Sequence, residues 1–341
     1  MTVTMGDVAK RAGVSIKSVS NYFNDYPHMS ESTRQRIGDA VRELDYRMNV
    51  SARNLRSGRT GSIMLALAEL DQAYLSEFAQ AVIRIAEEYG LSVVVETTGG
   101  RREREIEVLE ASRGRSVDGV IYEPLALGPE DIQKYHVGFP LVLMGERVLD
   151  GPVDHVTMAN LAGSRAIVQH LIAQGRRNIV LIGVDAEDTA RGPSLRRQGY
   201  VDELEAVGIP VRTELMVAAT PWHRPAGAAA MQAVIDSGIT FDAVFGANDA
   251  LALGAMRTLL RLGYSVPGDV AVAGFDDTED ARFSTPSLTT ISPGRDSIAR
   301  RAVEALYARI NDENYTPGEV FIADYGLVLG ESTGARSIPG P

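Results

Sequence analysis

The chain has 341 residues, 45% of them hydrophobic and 23% charged, with a net charge of -11 and no cysteine. This length and balance fit a soluble protein of two or three domains with a sizeable core. The lack of cysteine excludes disulfides, thiolate metal sites and a Cys nucleophile. The charge is unevenly spread: residues 1–60 hold 10 Lys+Arg against 6 Asp+Glu, a surplus of +4, which leaves -15 on the remainder (-11 minus 4). A basic head on an acidic body predicts a polyanion-binding unit joined to something else.

The opening MTVTMGDVAKRAG has no apolar secretory segment, and no apolar run approaches the ~18 residues of a membrane span. A cytoplasmic location without membrane contact is the expectation. Next, TMGDVAKRAGVSIKSVSNYFN predicts two short helices joined by a tight turn. Thr4 is placed to N-cap the first helix, with Asp7 completing a capping box. Val8 and Ala12 share one face, and Gly13 supplies a stop with positive φ. Ser15 can cap the second helix, in which Ile16, Val19 and Phe23 recur at helical spacing. A third helix is read from Ser30, its N-cap, with Ile37, Val41 and Leu44 turned inward.

Three small helices with a Gly turn between the first two follow the helix-turn-helix plan. The second helix of that plan enters the major groove. Lys17 and Asn21, at i and i+4, suit base edges, while Ser15, Ser18 and Ser20 suit phosphates. A solvated helix surface would carry the same residues, so this helix alone leaves both readings open. The following YRMNVSARNLRSGRTGS adds four arginines and no acid. An apolar side chain in such a basic stretch is what a minor-groove wedge requires.

Residues 2–60 resemble the DNA-binding region of the lactose/galactose repressor (LacI/GalR) family. The residues that carry the likeness are VTMGDVAKRAGVSIKSVSNYFN and MSESTRQRIGDAVRELDYRMNVSARNLR. The resemblance implies that Ile16, Lys17 and Asn21 occupy base-reading positions and Thr4, Ser15 and Ser18 phosphate positions. It implies that Leu55 is the minor-groove lever, with Asn49 and Ala52 beside it. Two positions depart from the family pattern: Asn21 stands where Arg is common, and Met48 where Pro usually precedes the hinge Asn.

After Gly61 apolar strands alternate with amphipathic helices. Strands are expected in SIMLALAE, LSVVVETT, DGVIYE, PLVLMGE, NIVLIG, LMVAA, AVFGAN and VAVAGFDD. Strands that are apolar throughout predict parallel sheets covered on both faces. Two such series give an α/β body of two doubly wound parallel-sheet lobes, with a ligand crevice at the carboxyl ends of the strands. The expected boundaries are a helix-turn-helix domain at 1–48, a hinge helix and linker at 49–60, and an effector-binding domain at 61–335. Within the last, one lobe is assigned 61–160 plus 292–322 and the other 161–291 plus 323–335.

Residues at the strand ends include Glu69, Glu123, Glu146, Asn248 and Asp276. This set accepts hydrogen bonds from hydroxyls and repels phosphates and carboxylates. Trp222, the single tryptophan, lies in the loop TPWHRPAG, and its flat ring suits the C–H face of a sugar as well as ordinary packing. Asp249 is expected to N-cap the helix after it, and RREREIE to begin a solvated helix with i,i+4 pairs. Asp276 and Asp277 are read as neighbours on an extended segment, pointing opposite ways. The family resemblance extends to about residue 332 and is densest in GANDALALGAM and VPGDVAVAGFDDTEDARFSTPSLTTI. It implies that Arg196, Trp222, Asn248 and Asp276 fall on sugar-contact positions and that Glu69, Glu123 and Glu146 lie near others.

The reading is a sequence-specific transcriptional regulator of periplasmic-binding-protein-like fold, a repressor of carbohydrate-utilisation genes released by a sugar. It binds a pseudo-palindromic operator as a homodimer and needs no cofactor or metal. The tail has no heptads, so a tail-mediated four-chain bundle is not expected. A purine-type co-repressor is the alternative within the same fold. An extracytoplasmic sugar-binding protein is opposed by the basic head, and an enzyme by the lack of any GxxxxGK[ST] or GxSxG motif.

Overall fold

The computed structural model describes residues 3–23, 26–46, 59–111, 117–145, 152–184, 195–312, 314–316 and 318–334. Two compact units divide at Thr60/Gly61.

The first unit holds three helices, α1 (Met5–Ala12), α2 (Ile16–Phe23) and α3 (Glu31–Glu43). Thr4 and Asp7 form the expected capping box, and Gly13 takes φ 64°. Ser15 Oγ accepts the Ser18 amide at 3.0 Å, capping α2. Val8, Ala12, Val19 and Ile37 make the buried core, with Phe23, Val41 and Leu44 packed around it. Ile16, by contrast, is 52% exposed and lies off this core.

The second unit contains two parallel sheets. Strands β1 (Ser62–Leu67), β2 (Ser92–Thr97), β3 (Gly119–Tyr122), β4 (Leu141–Met144) and β5 (Asp154–Thr157) join β11 (Val320–Ile322) in the order β11-β5-β4-β3-β1-β2. Strands β6 (Ile179–Val184), β7 (Met216–Ala218), β8 (Ala243–Gly246) and β9 (Ala271–Ala273) follow the order β7-β6-β8-β9. A small antiparallel pair, β10 (Thr290–Ser292) with β12 (Gly326–Val328), completes the strands.

Each sheet is covered on both faces because successive side chains alternate. Ile63, Leu65 and Leu67 meet α4 (Ala73–Glu88) and α11 (Arg295–Asn311), while Met64 and Ala66 meet Val108 and Leu109 of α5 (Arg102–Ala111). In the second sheet Val180 and Ile182 face α8 (Arg224–Asp236) and α9 (Asp249–Arg261), while Ile179 and Leu181 face α6 (Asn160–Ala173) and α7 (Leu195–Ala206). Each such aliphatic side chain, fully buried, contributes roughly 1.5–3 kcal/mol. All eight strands read from sequence are present; β5, β10, β11 and β12 were not foreseen. The short α10 (Glu279–Phe283) follows β9.

Three expectations need correction. RREREIE does not begin a merely solvated helix: Glu105 in α5 is 0% exposed. It accepts hydrogen bonds from the amides of Leu125, Ala126 and Leu127 and from the Tyr122 hydroxyl, at 2.9–3.1 Å. Nor is Asp249 the N-cap of α9; Asn248 is, its Oδ1 accepting the Leu251 amide at 2.9 Å. Asp276 and Asp277 are not extended, with φ of 124° and 52°.

Candidate functional site

In the first unit α2 presents Ser15, Ile16 and Lys17 to solvent, with Ser18 and Asn21 half-buried. The Ser15 and Ser18 hydroxyls share one hydrogen bond at 2.9 Å, so one of the two protons stays available. Thr4 differs: its hydroxyl donates to Asp7 Oδ2 at 2.7 Å, which commits its only proton. Hydrogen bonds from the Thr4 hydroxyl and amide hold the Asp7 carboxyl below its ordinary range. Asn49, Ala52 and Leu55 lie outside the described residues, as does Glu146.

In the second unit the carboxyl ends of β7, β8 and β9 and the start of α7 bring four of the expected residues together. Asp276 follows β9, is 4% exposed and lies 3.6 Å from Arg196. Arg196, on α7, is held from several sides. Its Nε donates to Asn160 Oδ1 at 2.9 Å, Nη1 donates to the Ala247 carbonyl, and Nη2 meets Met158 Sδ at 3.3 Å. Its guanidinium carbon stands 3.8 Å from the Phe275 ring centre and 5.6 Å from that of Trp222. Trp222 packs partly against the second-lobe core, and its carbonyl accepts from Asn248 Nδ2 at 3.1 Å. Asn248 therefore holds the Trp222 loop and caps α9 at once.

Glu69 and Glu123 come from the opposite lobe. Glu123 Oε2 accepts weakly from the Ala68 amide at 3.4 Å. Glu69 pairs with His223 at 3.0 Å, across the crevice and next to Trp222 in the chain. Asp71 joins this pair, with one ligand atom from each of the three within 4.8 Å of the others. Among the described residues these are the donors of metal-ligand type that converge, but Glu69 and His223 already satisfy one another.

Electrostatics favour neutral, hydroxyl-bearing ligands here. Burial, opposed by Arg196 and Arg295 and reinforced by Glu77 and Glu123, pushes the Asp276 carboxyl up to about 7. Burial also raises Glu123 to about 7, with Glu105 and Glu69 adding to it. Asp249 lies well above the carboxylate range through burial and the charge of Asp276. An anion entering this crevice would further disfavour the ionised form of each of these carboxyl groups.

One residue of the crevice escaped the sequence reading. Tyr74 is 3% exposed, yet its hydroxyl has no hydrogen-bond partner among the described residues. It lines the same slot as Gln72, Arg224, Asn248 and Asp276. A buried hydroxyl without a partner is costly unless a ligand satisfies it. Tyr74 and Phe78 lie four apart on α4, which reads as a core stripe and hid the polar tip.

Among the described residues no helix is long and apolar enough to cross a membrane. Residues 4–49 match the bacterial regulatory proteins of the lacI family, and residues 168–333 match the periplasmic binding protein-like domain. The ribose operon repressor of Escherichia coli (strain K12) is 32% identical over 310 residues, covering 90% of this chain and 93% of that protein. The lac repressor dimer bound to operator and the anti-inducer ONPF is 28% identical with a TM-score of 0.83, covering 98% of this chain and 100% of that one. The CelR–cellobiose complex is 28% identical with a TM-score of 0.70, covering 97% and 99%. The chain belongs to the lacI family of bacterial regulatory proteins and is a DNA-binding regulator of transcription.

Proposed function

We propose that this regulator is a dimeric repressor of carbohydrate-utilisation genes, released from its operator when a sugar enters the crevice. The observation that carries this reading is the arrangement around Arg196. A carboxylate acceptor, Asp276, and an aromatic ring, Trp222, flank one fixed guanidinium beside the unpartnered Tyr74 hydroxyl. Asp276 accepts sugar hydroxyl protons, Arg196 and Tyr74 donate to sugar oxygens, and Trp222 covers an apolar ring face. Glu123, Asn248 and Glu69 complete the polar lining, the last if it leaves His223. The ribose operon repressor and the cellobiose complex of CelR support a sugar as the ligand class.

In the head, Ile16, Lys17 and Asn21 read bases in the major groove, and Ser15 and Ser18 hold phosphates. Thr4 contributes chiefly as the cap that fixes α1. The dimer is supported by the lac repressor relative and by exposed apolar side chains on the second lobe, Phe283 at 80% and Leu260 at 40%. A sugar releases operator only if it favours one arrangement of the lobes over another.

A thermal-shift screen of mono- and oligosaccharides tests this reading, since a ligand of the native state raises its apparent stability. The expected hit also lowers affinity for a selected operator. A chain stabilised by purines and not by any sugar, or one whose operator affinity rises with the hit, would overturn it.

A further inference from the structure

The turn that carries Asp276 is unusual in having two consecutive non-glycine residues at positive φ, 124° and 52°. Such backbone persists only where its surroundings over-determine it. The determinant is a neighbouring side chain that is neither a helix cap nor a crevice contact. Asp249 is 1% exposed. Its Oδ2 accepts the Thr278 amide at 2.9 Å and the Thr278 hydroxyl at 3.1 Å, and its Oδ1 accepts the Thr290 hydroxyl at 2.6 Å. Its own amide donates to the Phe275 carbonyl at 2.7 Å. One residue therefore grips the chain immediately before Asp276 and immediately after Asp277. A Cβ on Gly274 would stand 2.4 Å from Asp249 Oδ1, so that glycine leaves room for the carboxyl group. The Asp276 amide is spent on Ile291 and the Asp277 amide on Thr290 Oγ1, which pins the turn against β10.

We propose that Asp249 is a positioning residue for the effector crevice: its buried carboxyl group clamps the turn at 276–278 so that the Asp276 side chain faces Arg196. This rests on the sugar-binding reading above. The clamp also places two carboxyl groups near each other in a low-dielectric site. The charged and titratable groups around Asp276 are Arg196 on α7, Arg295 on α11, Glu77 and Tyr74 on α4, Glu123 after β3, and Asp249 on α9. Asp249 stays protonated while Asp276 ionises, so Asp249→Asn removes no charge; a looser clamp instead lets Asp276 part from Arg196 and raises the pH at which Asp276 ionises. A residue that merely packed the turn would leave that pH unchanged.

The test compares wild type, Asp249→Asn and Thr290→Val. The Asn variant keeps the shape and an acceptor oxygen; the Val variant removes one clamp bond without touching charge. Two measurements are made: the pH titration of the 13C-labelled Asp276 carboxyl without ligand, and calorimetric affinity for the sugar found in the screen across pH. Asp249→Asn is expected to raise the carboxyl midpoint by about half a pH unit or more, as Asp276 loses its position facing Arg196. It should weaken sugar binding by about tenfold, the loss of roughly one hydrogen bond to a charged group. Thr290→Val should weaken sugar binding several-fold, with a smaller change of midpoint. Unchanged midpoint and affinity in Asp249→Asn overturn the proposal, as does lost thermal stability with the midpoint unmoved. If no sugar binds wild type while the Asp276 midpoint still moves, the sugar reading has failed and the clamp stands.

Discussion

Glu77 Oε1 accepts the backbone N–H of Glu279 at 3.0 Å, and its Oε2 pairs with Arg295 at 2.5 Å. Glu77 is on α4 of the first lobe and Glu279 opens α10 of the second, so a single carboxylate joins the lobes beside the crevice. With its side chain about one quarter exposed, the contact is worth about 1 kcal/mol rather than the value of a fully buried one.

Glu77→Ala should therefore loosen the arrangement of the two lobes with little effect on global stability. Small-angle scattering of the sugar-free protein should show a broader distribution of dimensions than wild type. Identical scattering profiles would mean that other contacts, such as Glu69 with His223, hold the lobes unaided.

Asp276 gives the protein two opposite pH dependences. Its folded-state pKa, about 7, lies above the unfolded value near 3.8, and burial is the main cause. Between these values the native chain holds a proton that the unfolded chain has released, so stability falls as pH rises through this window. Sugar binding has the reverse sign, because the ionised carboxylate is the better acceptor, and affinity should rise from pH 5.5 to 8. Asp276→Asn should flatten part of the stability slope and remove most of the affinity slope. Melting temperatures and titration calorimetry across this range check both; an affinity that is independent of pH in wild type would take Asp276 out of the site.

Glu105 tests the first lobe independently of any ligand. Four donors converge on it, and three of them are backbone amides of the segment after β3. Glu105→Ala leaves all four unpaired in the interior and should destabilise by roughly 3 kcal/mol or more, while Glu105→Gln should cost ~1–3 kcal/mol. Urea unfolding of both variants measures the difference. Equal and small losses would show that water replaces the carboxylate.

The periodic parts of this fold were legible in the sequence and the polar interior was not. Ile63 to Leu67 and Ile179 to Ile182 are apolar at every position, and only a strand covered on both faces accommodates that. Strand β5 was missed because DHVT reads as a loop, yet Asp154 and His155 are buried within it. The capping box of Thr4 and Asp7 is a local feature, set by residues three apart, and so could be read directly. Glu105 and Asp249 depend on partners 17 to 41 residues distant, which no local pattern reveals. Arg196 and Asp276 are 80 positions apart in the numbering and meet only in the fold; their presence in one site was anticipated from a family likeness rather than from spacing, and their ion pair was not.

A charge on the exposed apolar face should break the dimer. Phe283 closes α10 and is 80% exposed, and Leu260 on α9 is also exposed. In the proposed dimer such side chains form a surface that the second copy covers, with the same patch used on both subunits. Phe283→Glu should give a monomer by sedimentation with sugar affinity intact, and operator affinity should fall steeply because two half-sites are no longer engaged together. A variant that remains dimeric would move the interface elsewhere.

Lys17 provides the sharpest test of the head. It is exposed on α2, next to the equally exposed Ile16, and a helix in the major groove would carry it to base edges. A lysine reaching guanine O6 and N7 discriminates against the wrong base by ~1–3 kcal/mol. A lysine on a phosphate instead adds affinity to every sequence alike and contributes about one unit to the slope of binding against salt. The two roles therefore separate in two measurements on Lys17→Ala. For base reading, binding-site selection should show one position relaxed in each half-site, while non-specific binding and its salt slope stay close to wild type. For phosphate contact, the selected motif should stay the same and the salt slope should fall. The relaxed motif is the expected outcome. An unchanged motif would leave base recognition by α2 to Ile16 and Asn21, whose shorter side chains require a closer approach of the helix to the groove floor.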